Sequence, residues 1–171
     1  MASGYSYGSN EFFLEAHAGE YQAENIGSEA RNIRINASFG LEKFYYGSKY
    51  TPAAYVGLHQ GEDRTNSFQF IITNNGEKDK RLIAGYRVIE NGEEVKYESL
   101  EYVEMNERVK IKIEFNDGLV EFYLNNGSCI KVKTNLEKVR PYISVSSGAA
   151  KFLMSPNKSL KNGTREELRA P

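Results

Sequence analysis

Tyr55 and His59 stand either side of Gly57 in the segment AAYVGLHQ, and the next alternating segment carries Gln69 between Phe68 and Phe70. Side chains on an extended strand alternate faces, so Tyr55, Gly57 and His59 point one way while Ala54, Val56 and Leu58 point the other. Arg87 and Lys96 fall together on the polar side of a later hairpin, and Tyr46, Tyr50, Arg64 and Asn66 lie in the flanking loops. Aromatic faces receive C–H groups, and imidazole, carboxamide and guanidinium groups offer paired hydrogen bonds. That combination suits a flat, polyhydroxylated ligand laid across a sheet. An ordinary mixed polar surface would use the same residue types. Gly57 also reads two ways: a notch that admits a ligand, or a place where a bulge or a neighbouring side chain packs close. Tyr45, Tyr46 and Tyr50 are either loop-packing residues or an exposed contact platform.

Other chemistries find less support. Glu98, Glu101 and Glu104 are spaced by three, so neighbours alternate faces on a strand, whereas retaining glycoside hydrolysis needs two carboxylates about 5.5 Å apart. Glu62, Asp63 and Asn66 form an oxygen-rich loop that would suit a structural calcium, but without the regular alternate spacing of a dedicated site. No Cys/His cluster suggests zinc, and no Gly-rich run would cradle phosphate. No catalytic residue, resident metal or cofactor is therefore expected.

The elements that position these residues read as strands. Residues 108–134 are the clearest stretch: Val109, Ile111, Ile113 and Phe115 alternate with Lys110, Lys112 and Glu114, the pattern of a half-buried strand. Asp117-Gly118 supplies a type I′ turn, which sets Phe115 opposite Val120, Ile113 opposite Phe122 and Ile111 opposite Leu124. On the other face Glu114 meets Glu121, with a lysine expected diagonally to relieve the repulsion. A two-residue turn at Asn126-Gly127 would turn Ile130 and Val132 outward, so a bulged loop over 126–128 is expected instead. Upstream strands are expected at 12–18, 31–40, 53–60 and 67–73, the last buried on both faces, with an aromatic loop over 41–50. Asn91-Gly92 predicts a hairpin of 81–90 with 93–102, pairing Val88 with Val95 and Tyr86 with Tyr97 on the core face and Arg87 with Lys96 on the other. Strands at 141–146 and 150–154 bring the count to ten or eleven.

The 171 residues suit one domain, expected over 10–155, with a Gly/Ser/Tyr-rich arm at 1–9 and a polar tail or linker at 156–171 that carries at most a short helix at 164–169. With 22 basic and 23 acidic residues, nothing points to nucleic acid. No apolar run is long enough for a membrane-spanning helix. The lone Cys129 forms no internal disulfide and leaves the compartment open. The start shows no signal peptide, so an extracellular or cell-surface setting, which fits slightly better than the cytoplasm, requires one already removed. The sequons at Asn36, Asn126, Asn157 and Asn162 read as chance in an Asn-rich chain.

Many short strands, hairpin turns and no βαβ alternation argue for an all-β, antiparallel two-sheet β-sandwich. The run IKIEFNDGLVEFYLNNG followed by VRPYISVSSGAAKF resembles the end of concanavalin A-like lectin/glucanase domains, in which a "fylNG" hairpin precedes a "lrPyis" strand. The resemblance covers about residues 108–154 and implies a jelly roll whose ligands often lie on the concave sheet or its rim loops. Arg165-Glu166-Glu167-Leu168-Arg169 is superficially similar to an alginate-lyase strand motif, but it sits in the tail without a Gln-x-His partner. His59, Arg64 and Asn66 fall near where galectins hold sugar, although order and spacing differ and the chain has no Trp. The resemblance and the residues together imply a non-catalytic, lectin-like module that recognises a glycan on the concave sheet through tyrosines and polar side chains. The alternative is a protein–protein interaction or adhesion module of a larger assembly, and a glycan-cleaving enzyme comes third.

Overall fold

The computed structural model describes residues 11–47, 49–74, 76, 78, 81–154 and, for the backbone, 158–159. The expected arm, the tail with its helix at 164–169, and the sequons at Asn157 and Asn162 lie outside the described residues, apart from 158–159. Eleven strands follow in order: β1 (Glu11–Asn25), β2 (Asn32–Phe44), β3 (Ala53–His59), β4 (Ser67–Thr73), β5 (Arg81–Glu90), β6 (Glu93–Glu104), β7 (Val109–Asn116), β8 (Leu119–Leu124), β9 (Cys129–Lys133), β10 (Arg140–Met154) and β11 (Lys158–Ser159). No described helix is long and apolar enough to cross a membrane.

All pairings are antiparallel, along the path β6-β5-β4-β3-β10-β2-β7-β8-β9. β10 changes partner midway, with 140–146 on β3 and 148–154 on β2, and β1 follows it along its other edge. The path thus folds into two sheets sharing β10 and β1. What read as two closing strands is one strand with a corner. Ser147 takes φ 45° there, Gly19 of the opposing bulge takes φ 80°, and the Gly19 N–H donates to Ser147 Oγ (3.0 Å). That bulge, between Ala16 and Tyr21, hid the second half of β1 from a period-2 reading. β2 likewise runs on to Phe44, which shortens the expected aromatic loop.

Alternation packs the sandwich. Val56 and Leu58 of β3, Phe68 and Phe70 of β4, Ile113 and Phe115 of β7, and Phe122 of β8 are buried. Within the second sheet Phe39 stacks on its ladder partner Phe152 (5.4 Å), and the sheets meet where Phe39 sits edge-on to Phe70 (5.9 Å) and Phe122 meets Tyr86 (5.3 Å) and Phe68 (5.6 Å). The β7–β8 hairpin has the expected register, with Asp117 and Gly118 at φ 48° and 80°. Glu114 and Glu121 face each other, and Lys112 (3.1 Å) and Arg34 (3.2 Å) both reach Glu114. The next turn begins one residue early, with Asn125 and Asn126 at φ 49° and 59°, and it does bring Ile130 opposite Phe122 and Val132 opposite Val120.

The β5–β6 hairpin departs from expectation. Asn91-Gly92 makes the turn, but a bulge leaves Val95 unpaired, so Val88 faces Lys96, Arg87 faces Tyr97 and Tyr86 faces Glu98. Lys96 therefore leaves the face of Arg87, where its ammonium lies 5.6 Å from the Tyr86 ring, and Tyr97 takes its place. β6 is an edge strand exposed along nearly its whole length. Nothing buried enforces its alternation, so the register is free to slip.

Candidate functional site

The outward face of the first sheet carries a groove of about 580 Å³. Ladder pairing builds it in rows. One row runs Asn25, Tyr142, Gly57, Gln69, Arg87, Tyr97 across β1, β10, β3, β4, β5 and β6; the next runs Ala23, Ser144, Tyr55, Ile71, Gly85, Ser99. Lys49, Tyr50 and Thr51 wall one side, and Arg64 and Tyr21 also line the groove.

Tyr142 forms the floor. Its ring covers Gly57, where an added Cβ would sit 2.6 Å from Tyr142 Cε1 and 2.7 Å from the Phe68 carbonyl oxygen. Gly57 is therefore the close-packed neighbour of an aromatic ring and not an open notch. The Arg64 guanidinium lies 4.8 Å from the Tyr142 ring centroid and 5.9 Å from that of Tyr21, within cation–π range. Arg87 donates through Nε to Gln69 Oε1, pairs with Glu94 (3.5 Å) and lies 5.5 Å from the Tyr55 ring. Gln69 Nε2 donates to Ser67 Oγ (3.2 Å), so both ends of its carboxamide are engaged.

Three buried polar atoms in this groove have no hydrogen-bond partner: Arg64 Nε, the Tyr142 hydroxyl and the Ser144 hydroxyl. Such groups are rare in a folded interior, because water is lost without replacement. Burial pushes the Tyr142 phenol far above its ordinary range and raises that of Tyr21, where Arg64 opposes the shift. Both phenols stay protonated near neutrality and offer an O–H.

Of the residues expected at the site from sequence, Tyr50, Tyr55, Arg64, Gln69 and Arg87 line the groove. His59 does not. It is 1% exposed, its Nε2–H donates to Asn25 Oδ1 (2.8 Å), and its ring meets Tyr142 edge-on at 5.3 Å. Burial first, then the nearby Arg64 charge, lower its pKa. Tyr46 packs on Phe44 (6.4 Å) and donates to Asn74 Oδ1 (2.9 Å), and Asn66 Oδ1 accepts the Asn91 N–H (3.1 Å), holding the β5–β6 turn. Lys96 lies on the opposite side of its strand.

Sequence reading missed Tyr21, Tyr97, Tyr142, Ser144 and Ser146. The last three alternate with Ile143 and Val145, so their shared face was legible. Tyr21 and Tyr97 sit beyond bulges that no alternation announces.

Several of the remaining candidates have structural partners. Asp63 Oδ1 accepts from the Thr65 N–H (2.9 Å) and hydroxyl (2.6 Å), and among the described residues no group of three or more His, Cys, Asp or Glu is placed to hold a metal. Glu98 accepts from the Tyr86 hydroxyl (2.7 Å) and Glu101 from Asn125 Nδ2 (3.4 Å). A second groove, about 680 Å³, lies on the other sheet beside Ser38, Lys110, Lys112, Tyr123 and Met154. There Lys112 is paired with Glu114 and rests 5.3 Å from the Tyr123 ring, and no described side-chain polar atom lining it is buried without a partner.

No family model matches the chain, and no curated protein sequence is similar to it. Solved structures are. The carbohydrate-binding module CBM66 from Bacillus subtilis is 11% identical, over 86% of each chain, with a TM-score of 0.61. The Caenorhabditis elegans galectin LEC-6 is 11% identical over 86% of this chain and 96% of its own, with a TM-score of 0.53. The alginate lyase from Alteromonas sp. 272 is 10% identical over 87% of this chain and 78% of its own, with a TM-score of 0.51. At such identities the likeness is one of fold. The chain is an all-β, antiparallel jelly-roll sandwich, a fold it shares with these structures, and no single family is defined.

Proposed function

We propose that this chain is a non-catalytic, lectin-like module that binds a glycan in the groove on the outward face of its first sheet. The observation that carries the proposal is the cluster of tyrosines (Tyr21, Tyr50, Tyr55, Tyr97, Tyr142) interleaved with Arg64, Gln69 and Arg87 along one groove. Phenol rings supply faces for sugar C–H groups, and the planar polar side chains supply directional hydrogen bonds. Carbohydrate-binding modules and galectins among the structural neighbours support this choice.

Alginate lyases among the neighbours keep cleavage as the competing activity. Against it, no Asp or Glu is found among the described lining residues. Two groups nearby that could take a proton are poorly suited to do so: His59 is buried off the groove, and the Tyr142 phenol is held protonated. A protein-interaction role draws on the exposed Val95, Tyr97 and Tyr102 of edge strand β6.

The test is a broad glycan array probed with the purified protein and with Tyr55→Ala and Tyr97→Ala. Specific binding lost in both variants, with unchanged circular dichroism, is expected. Silence across the array overturns the proposal in favour of a protein partner, and depolymerised glycan products overturn its non-catalytic part.

A further inference from the structure

The described charged side chains that line the groove are all cationic. Its described lining includes Lys49, Arg64 and Arg87 and no carboxylate. Arg87 is neutralised by Glu94, and Gln69 Oε1, an obvious acceptor, is taken by Arg87. Among the described residues Arg64 has no carboxylate partner: the side chain of Asp63, its neighbour in sequence, is turned onto Thr65. An arginine Nε–H can only donate.

Beside Arg64 stand two further polar atoms without partners, the hydroxyls of Tyr142 and Ser144, on residues each 1% exposed. They are two apart on β10 and share its outward face, with the Arg64 guanidinium over the Tyr142 ring. Three groups that can each donate, one of them cationic, line the same groove, with the Tyr21 phenol beside Arg64 and Ser144. A neutral sugar hydroxyl could pair with the Tyr142 and Ser144 hydroxyls, which accept as well as donate, but it would leave the Arg64 charge without an anion. An anionic oxygen only accepts, and charge-assisted hydrogen bonds to it are the stronger kind. A metal cation would be repelled by Arg64.

We infer that the preferred ligand is an acidic saccharide, whose carboxylate or sulfate group docks on Arg64 Nε, Tyr142 Oη and Ser144 Oγ. This rests on the carbohydrate reading above and names the class of glycan that the same site selects. The sugar ring carrying the anion then lies toward Tyr55 and Gln69, the next residues along the two rows.

The array separates the two claims when its members are sorted by charge. Uronate-containing and sulfated oligosaccharides should bind about tenfold or more tightly than carboxyl-reduced or desulfated counterparts, with the preference falling as salt rises from 50 to 500 mM. Parallel uronate and sulfate arms tell which anion is favoured. Arg64→Gln and the near-isosteric Tyr142→Phe should remove the preference for the charged form, whereas Tyr55→Ala should weaken charged and neutral forms alike. Equal binding of charged and neutral partners overturns the acidic assignment and leaves the carbohydrate reading standing. Silence across all members overturns both, as does binding that survives Tyr55→Ala, Arg64→Gln and Tyr142→Phe unchanged.

Discussion

Tyr142→Phe takes away one oxygen and leaves every ring contact in place. The ring still covers Gly57, meets His59 edge-on at 5.3 Å and supports the Arg64 guanidinium at 4.8 Å. What disappears is a hydroxyl on a residue 1% exposed that no protein atom hydrogen-bonds. The nearest candidate, Gln69, is already engaged with Arg87 and Ser67. A buried polar group without a partner costs about 1–3 kcal/mol, so its removal should stabilise the free protein by about 1 kcal/mol. For a chain of 171 residues that raises Tm by about 2–4 °C.

Affinity should move the opposite way. If the hydroxyl donates to an anionic ligand, its loss weakens binding by about tenfold. Urea denaturation of wild type and variant, alongside calorimetric titration with an acidic oligosaccharide, reads both quantities on the same samples. A variant that loses 1 kcal/mol or more would show that the hydroxyl has a partner in the free protein, and the account of an unsatisfied floor would fail. A variant more stable and equally tight would refute its role in binding.

Gly57→Ala should destabilise by about 1–3 kcal/mol, because the new methyl group meets the Tyr142 ring at 2.6 Å and the Phe68 carbonyl at 2.7 Å; chemical denaturation checks this, and an unchanged midpoint would mean that Tyr142 moves freely. His59 has a lowered pKa through burial and then the Arg64 charge, so the unfolded chain takes up a proton that the folded one resists. Stability should be fullest above the unfolded value of about 6.5 and fall as pH drops from there toward the depressed folded value, by up to about 1.4 kcal/mol per unit. Denaturation at pH 7.5 and 5.5 should show that loss in wild type and a smaller one in His59→Gln. Tyr97→Ala should weaken ligand binding while Lys96→Ala leaves it unchanged, since the β6 bulge puts only Tyr97 on the groove face; the reverse result would restore the unbulged register.

Where one face of a strand is fully buried, alternation was legible and the register followed. The Asp117-Gly118 hairpin illustrates this, since any slip would send Ile111, Ile113 and Phe115 into water. The same logic located Tyr55, Gln69 and Arg87, because their neighbours Val56, Phe70 and Val88 are core residues. It failed where burial stops constraining the chain. On β6 most residues are exposed on both faces, so a residue can be inserted at little cost, and Lys96 exchanged places with Tyr97. At the β1 bulge four residues leave the ladder, so the strand expected at 12–18 stopped short of Tyr21. His59 failed differently. Its direction was read correctly, but nothing local shows that Tyr142 and Asn25, from strands distant in sequence, close over it.

The two outward faces of the sandwich differ in a way that size does not capture. On the second sheet charges are matched: Arg34 and Lys112 with Glu114, Lys43 with Glu15, Lys151 with Glu11, all within 3.4 Å. Such pairs contribute about 0–1 kcal/mol each and need no ligand to complete them. The groove there is the larger by volume, yet Lys112 in it is paired with Glu114 and no described side-chain polar atom lining it is buried without a partner. On the first sheet the polar groups are more deeply buried, and three of them lack partners in a single groove. A folded chain tolerates unsatisfied buried groups where surrounding packing overrides their cost, and they concentrate where a ligand is to be met. If solvent alone were their partner, Arg64→Gln, Tyr142→Phe and Ser144→Ala would each be nearly silent in binding. A loss of acidic-glycan affinity in all three, with stability unchanged or improved, is the pattern that only a ligand-completed site produces.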